Sequence, residues 1–590
     1  MFTSRRFIAF FVLIALVVLA ACAAPTAEPT KAPPPPASSA SASLSSSSSA
    51  ASSASAPTKA PDATKPPEPT KAPAPTQPPA PTATPRPVSL RMAILVDEST
   101  LNPYTYVLGY PGWNMLNLVY DTLFILDADS LPKPWLAKED KISADGKVHT
   151  ITLRDDVKWH DGKPLTSADV KFTYEYYQKV VRARFSTPVR NAKIETPNDT
   201  TVVITLPSPN PSFLIEPMAD APILPKHLWE NVADPKKFDN ATGSGPFKLV
   251  EYKGEQFYRF AANAAYFAGK PAVDELLMPI IKDPTTVFSS LKTGEIQATT
   301  RELSPELVKD FSSAADMKVQ RGAGFATTML LFNSERAPWN KKEVRQAVGL
   351  AIDTQKLVDT VLLGFGTQGN PGWIHPQSPF HDPAVKAEFN VAKAKTVLDN
   401  LGYKDANNDG IREADGKNME GTLLVYSNNP QRIRAAELIA AAVKDIGISF
   451  KVTALEVNSL DAKVWPDFDV AKGRDFDLSM WGWSAPVQVN PVRMVALVHS
   501  DPVIGNSNVG GYKNPATDKL ADELRVTTDL DKQKTLVRQM EALIAQEMPF
   551  LLLYYADGNY VYRPTAYDKW VYQKGQGIFN KLSFLPGVKP

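Results

Sequence analysis

Apolar and polar positions divide the 590-residue chain into three stretches of different character. Arg5 and Arg6 precede the run "FIAFFVLIALVVLA" at residues 7–20. At roughly 14 residues it falls short of the ~18–20 that a membrane span requires, so residues 1–21 read as a signal peptide. From residue 23 to 87 large apolar residues almost vanish among Pro, Ala, Ser and Thr. Such a segment cannot bury a core, and residues 22–87 are expected to form a disordered linker that acts as a stalk. Alternation returns at Val88, where "LRMAILV" predicts a strand followed by a loop.

Beyond Val88, strand-like stretches ("KVHTITLRDDV", "TTVVITLPS", "GTLLVYS", "ISFKVTALEV") alternate with helix-like ones. The helical segments include "LTSADVKFTYEYYQKVV", with Thr166 or Ser167 as N-cap and Asp169 in the first turn, and "NKKEVRQAVGLAIDTQKLVDTVL". The mixture predicts an α/β or α+β fold. About 500 residues are too many for one core, so two or three lobes are expected. No fixed-period repeat suggests a solenoid.

Composition narrows the chemistry. The 64 basic and 63 acidic residues leave a formal charge of +1, which provides no general field for nucleic acid. The single cysteine, Cys22, cannot close an intramolecular disulfide. It follows the small residues Ala20 and Ala21, and "LAAC" resembles a bacterial lipobox, which makes Cys22 the expected lipidation site. The six histidines are scattered without the spacing of a zinc hydrolase. "TGSGP" at residues 242–246 is neither a nucleophile elbow nor a phosphate loop, and reads as a tight turn.

"DANNDGIREADG" at residues 405–416 places Asp405, Asn407 and Asp409 as in a calcium loop, but Gly416 stands where a bidentate glutamate would close the coordination. An Asp/Asn/Gly turn explains the same residues, with calcium as the alternative. No catalytic constellation is visible, and a carboxylate pair converging in a cleft is the remaining route to hydrolase chemistry.

Several motifs, taken in order, resemble the family 5 extracellular solute-binding proteins of ABC importers. They are "TLNPYT" (100–105), "VYDTLFILDADSLPKPWLAK" (119–138), "DGKVHTITLRDDVKWHDGKPLTSADVKFTYE" (145–175), "ILPKHLWE" (223–230) and "TGSGPFKLVEY" (242–252). "LKTGEIQ" (291–297), "NKKEVRQAVGLAID" (340–353), "DFDLSMWGW" (475–483) and "GGYKNPATDKL" (510–520) complete the series. Most are scaffold. Trp159, Asp161 and Gly162 look like a capped turn plugged by an aromatic. Arg345 and Asp353 are expected to pair, and Gly243 and Gly245 to permit a tight crossover.

The resemblance implies a type II periplasmic-binding-protein clamshell: one lobe from residues 88–127, 229–328 and 555–590, an inserted domain at 128–228, and a second lobe at 329–554. It implies an extracytoplasmic, lipid-anchored monomer, in the periplasm or at the cell surface. Such a protein performs no covalent chemistry and needs no cofactor. It would capture an oligopeptide or similar polar solute by lobe closure and pass it to a permease driven by an ATPase. By position, Trp481, Trp483, Tyr554 and Tyr555 match cleft-lining aromatics, and Asp121, Thr122 and Leu123 match a segment running beside the ligand. Peptide-binding relatives hold the ligand's α-ammonium with an aspartate three residues after the tryptophan matching Trp483; here that residue is Pro486. The departure makes an oligosaccharide a rival ligand. A surface adhesion or signalling receptor is the alternative outside transport.

Overall fold

The computed structural model of the protein describes residues 88–106 and 110–588. The expected signal peptide, Cys22 and the linker lie outside the described residues. Two strands organise the rest. Lys318–Phe332 and Phe550–Tyr562 pair antiparallel from Lys318 opposite Tyr562 to Leu331 opposite Phe550. They lie at the middle of an eleven-stranded sheet. On one side follow Ala298–Thr299, Ser89–Ala93, Glu275–Pro279, Phe257–Ala262 and Phe247–Lys253, which we call the first half. On the other follow Leu478–Trp481, Glu420–Tyr426 and Ser449–Leu455, the second half. A separate antiparallel sheet of Ala137–Ile142, Val148–Leu153, Thr201–Thr205 and Lys193–Asn198 is inserted in sequence between the first strands of the first half.

The second half shows why its strands read as continuous apolar runs. Leu330, Phe332, Leu423, Val425, Leu551 and Leu553 enter one core, whereas Met329, Leu331, Leu424, Phe550 and Leu552 enter another. Successive side chains leave opposite faces of a strand, and here both faces are covered. In the inserted sheet, His149, Ile151 and Leu153 are the buried positions of Val148–Leu153, so its alternation was visible in sequence. Helix Ser167–Lys179 starts as predicted: the Thr166 N–H donates to the Asp169 carboxylate at 2.9 Å, closing the first turn, and Val170, Tyr174 and Tyr177 are buried.

Two scaffold expectations need correction. Arg345 does not pair with Asp353. Its guanidinium donates to the carbonyls of Trp339, Asn340, Glu547 and Met548, while Asp353 caps the next helix, Thr354–Val361, by accepting from Lys356 N–H. The helix Lys342–Ala351 ends before Asp353, so the two residues share no helical face. Gly243 and Gly245 are required by close approach and not by an unusual backbone angle. A Cβ on Gly243 would stand 2.0 Å from the Val119 carbonyl oxygen, and one on Gly245 would stand 2.5 Å from that of Leu118. Gly243→Ala therefore forces the backbone to shift, at an expected cost of about 1–3 kcal/mol measurable by urea unfolding.

The pairing of the two long strands breaks between Ala323 and Thr327, and again between Thr328 and Met329. Phe325, inside the first break, has φ +62, and Gly324 packs so closely on Ala556 that a Cβ would lie 2.3 Å from its carbonyl oxygen. The ladder is thus interrupted where the strands pass from one half to the other.

Candidate functional site

The two halves and the inserted segment enclose two neighbouring cavities. The first, about 470 Å³, has Ile94, Asn114 and Glu302 on the first half and Leu362, Phe365 and Gln431 on the second. The second, about 520 Å³, has Trp113, Glu216 and Asp220 on one side and Ser484, Pro486 and Asn490 on the other. Gln576 lines both. Both volumes fall in the range of small-molecule sites.

Helix Tyr110–Val119 supplies Trp113 to one cavity and Asn114, the next residue, to the other. The segment after Trp570 fills the junction below. Gly575 N–H donates to Ala323 O at 2.9 Å and Tyr572 OH to the same carbonyl at 3.1 Å, which fixes Gln576 against the break in the strand pairing. The Gln576 side-chain oxygen is buried and without a hydrogen-bond partner among the described residues. A buried acceptor left unmatched in this way suits a ligand donor or water.

Polar contacts cross the lining of the second cavity, where Glu216 accepts from Arg493 at 2.7 Å and from Asn490 at 3.3 Å. Asp220 is held by Arg184 through bonds of 2.7 and 2.5 Å, and burial pushes its carboxyl above the usual range against that pull. Both acids on this wall are therefore already paired with arginines. Pro486, in the short helix Ala485–Val489, presents neither a carboxylate nor an N–H.

The aromatics singled out in the sequence are differently placed. Trp481 is 6% exposed and packs in the core, its ring 6.4 Å from that of Trp483 and 5.9 Å from Tyr426. Trp483 is half-buried, borders a crevice of about 10 Å³, and exchanges hydrogen bonds with Thr327 beside the break in the strand pairing. Tyr554 and Tyr555 are buried, and the Tyr555 hydroxyl donates to Trp373 O at 3.2 Å or Ile374 O at 3.3 Å. None of the four lines either large cavity in this conformation.

Asp121, Thr122 and Leu123 are buried as well. The Asp121 carboxylate accepts from Trp135 at 2.9 Å, Tyr266 at 2.8 Å, Ser244 at 2.9 Å and the ammonium of Lys581. The backbone carbonyls of Asp121 and Leu123 accept from Ile223, Trp135 and Ala137. Only Thr122 reaches a small pocket, about 20 Å³, which it shares with Trp113, Asn114 and Gln576. Glu302, Asn114 and Gln576 escaped the sequence reading because no local motif marks them; chain crossings bring them together.

The loop at residues 405–416 spends its oxygens on its own backbone. Asp405 accepts from the N–H groups of Asp409 and Gly410, Asn407 from Asp409, and Asp409 from Ile411 and from the side-chain amides of Asn407 and Asn418. These bonds hold the Asp409 carboxyl below its usual range.

Comparison with known proteins agrees with this architecture. Residues 132–503 match the bacterial extracellular solute-binding proteins, family 5 Middle. The oligopeptide-binding protein AppA of Bacillus subtilis is 28% identical over 504 residues, covering 82% of this chain and 89% of its own. Its crystal structure in complex with a nonapeptide superposes with a TM-score of 0.60 at 26% identity, covering 84% of this chain and 97% of AppA. The nickel-binding periplasmic protein of Escherichia coli is 28% identical over 497 residues, covering 80% and 91%. The substrate-binding protein CtaP of Listeria monocytogenes, at 24% identity, shares the fold with a TM-score of 0.70 over 84% of this chain and 98% of its own.

Proposed function

The chain belongs to the bacterial extracellular solute-binding proteins, family 5, and we propose that it captures a peptide between its halves and delivers it to an ABC permease served by an ATPase. The carrying observation is the pair of cavities lined from both halves, because only a closed conformation gains both sets of contacts with a solute. The rigid bodies are a lobe of residues 88–127, 229–328 and 555–590, an inserted domain of 128–228 and a second lobe of 329–554. The interrupted ladder near Phe325 supplies the flexure. Family members bind and hand over solutes without covalent chemistry, and the same role is proposed here for a monomer.

Lipid on Cys22, exposed after removal of residues 1–21, would hold the protein outside the membrane on its stalk. No helix among the described residues is long and apolar enough to cross a membrane. Trp483 is the proposed stacking contact: it is the least buried of the four candidate aromatics and precedes Ser484 and Pro486 on the cavity wall. The pairing of Glu216 and Asp220 with arginines, beside an acid-free Pro486, favours a neutral oligosaccharide as the second reading.

Native mass spectrometry followed by thermal-shift screening of peptides and oligosaccharides distinguishes the two. Trp483→Ala is expected to weaken the retained solute at least tenfold, about 1.4 kcal/mol; unchanged affinity removes Trp483 from the site. No resident cation is proposed for residues 405–416, whose oxygens already cap a turn. Chelation with EDTA should leave the melting temperature unchanged, and a clear upward shift on adding calcium would restore the cation reading.

A further inference from the structure

The geometry points to Glu302 as the residue that receives a cationic nitrogen of the captured solute, a role that rests on the peptide reading above. Three charged side chains line the first cavity: Arg301, Glu302 and Asp557. Asp557 is committed, since Arg321 donates to its carboxylate in an ion pair. Glu302 is not. It accepts one hydrogen bond, from Tyr560 OH at 2.7 Å, and makes no ion pair among the described residues. Its side chain is open to solvent in the cavity yet ringed by protein, and that surrounding protein pushes its carboxyl above the usual range against the opposing pull of the Tyr560 hydroxyl and the Arg301 charge.

The location supports the assignment. Glu302 sits on the loop after the short strand Ala298–Thr299, in the first half, while Leu362, Phe365 and Gln431 face the same space from the second. Closure over a solute would strip water from the carboxylate, and an enclosed carboxylate without a cation is unfavourable. A solute ammonium or guanidinium supplies that cation and forms a charge-assisted hydrogen bond. Arg301 stands beside it, exposed and without an ion pair among the described residues, and its charge acts on Glu302 only through space, so the wall suits a solute that carries an anion near its cation. The second cavity offers no comparable acid, because Glu216 and Asp220 already face arginines. Glu302 thus gives the receptor an acid for a peptide that Pro486 cannot provide.

The test uses the full chain in detergent and three random libraries of tri- to pentapeptides, with retention read by native mass spectrometry. One library has free α-amino groups and no Lys, Arg or His, the second is the same set N-acetylated, and the third is N-acetylated with one Lys per peptide. The wild type is expected to retain the first or the third, which tells α-ammonium from side-chain recognition, and to exclude the second. Glu302→Gln should reduce that retention at least tenfold, and Glu302→Asp should restore part of it, with melting temperatures reporting that both variants fold. Equal retention by wild type and Glu302→Gln overturns the assignment and leaves the peptide receptor standing. Retention of the second library at the level of the others also overturns it. Retention of none overturns the peptide reading, and the role of Glu302 falls with it.

Discussion

Lys581→Met is expected to lower the unfolding free energy by about 3–5 kcal/mol, because it strands a buried carboxylate. Asp121 and Lys581 are 0% and 5% exposed, and the ammonium donates both to that carboxylate and, at 3.0 Å, to the Tyr120 carbonyl. Burial draws the Lys581 amine below its usual range and Asp121 opposes the shift. Removing the cation leaves Asp121 with three neutral donors, Trp135, Tyr266 and Ser244. Those donors cannot replace a full charge, so the penalty is that of an uncompensated buried ion. The double variant Asp121→Asn/Lys581→Met should recover part of the loss, since an amide needs no counter-charge. Urea unfolding of the two single variants and the double measures the coupling. A loss below about 1 kcal/mol for Lys581→Met would mean that Trp135, Tyr266 and Ser244 hold the Asp121 carboxyl without help from the cation.

The second large effect is expected at Arg345. Its guanidinium satisfies the carbonyls of Met548 at 2.8 Å, Trp339 at 2.8 Å, Asn340 at 3.0 Å and Glu547 at 2.6 Å. Two of these belong to the end of helix Leu530–Glu547, where the helix dipole favours a cation. Arg345→Leu fills much of the space but leaves buried acceptors without donors, at an expected cost of about 3–5 kcal/mol. Arg345→Lys should recover less than half, because a single ammonium cannot reach the spread of a planar fork. Thermal unfolding of the two variants tests this order; equal stability would show that charge alone matters.

Arg345 also shows where the sequence was readable and where it was not. That it is structural follows from a cation within an otherwise apolar helical stripe. Two of its four partners could not be read, since the carbonyls of Glu547 and Met548 lie about 200 residues away, on a helix end that carries no side-chain signature. The strands were legible because alternation survives any tertiary arrangement. Which face of "LSMW" points to a cavity was not, because both faces of that strand are buried. Trp481 consequently reads the same whether it touches solute or core, and the structure puts it in the core. Thr166 and Asp169 were legible because a capping box is local. Glu302 was not, because an acid on an exposed loop becomes distinctive only when residues distant in sequence, such as Leu362, Phe365 and Gln431, are seen to line the same cavity.

The position of Phe550–Tyr562 in the sheet has a consequence for biosynthesis. It pairs with Lys318–Phe332, Ala298–Thr299 and Gly366–Gln368, and so joins the two halves. It is also the last of the described strands to leave the ribosome. Until it arrives, Lys318–Phe332 presents an open, apolar edge, and neither half has its full complement of neighbours. Contacts between residues more than 200 positions apart close slowly and expose aggregation-prone edges while they wait. The sheet is therefore sealed only when this last of the described strands arrives, and until then the two halves are joined by the chain alone.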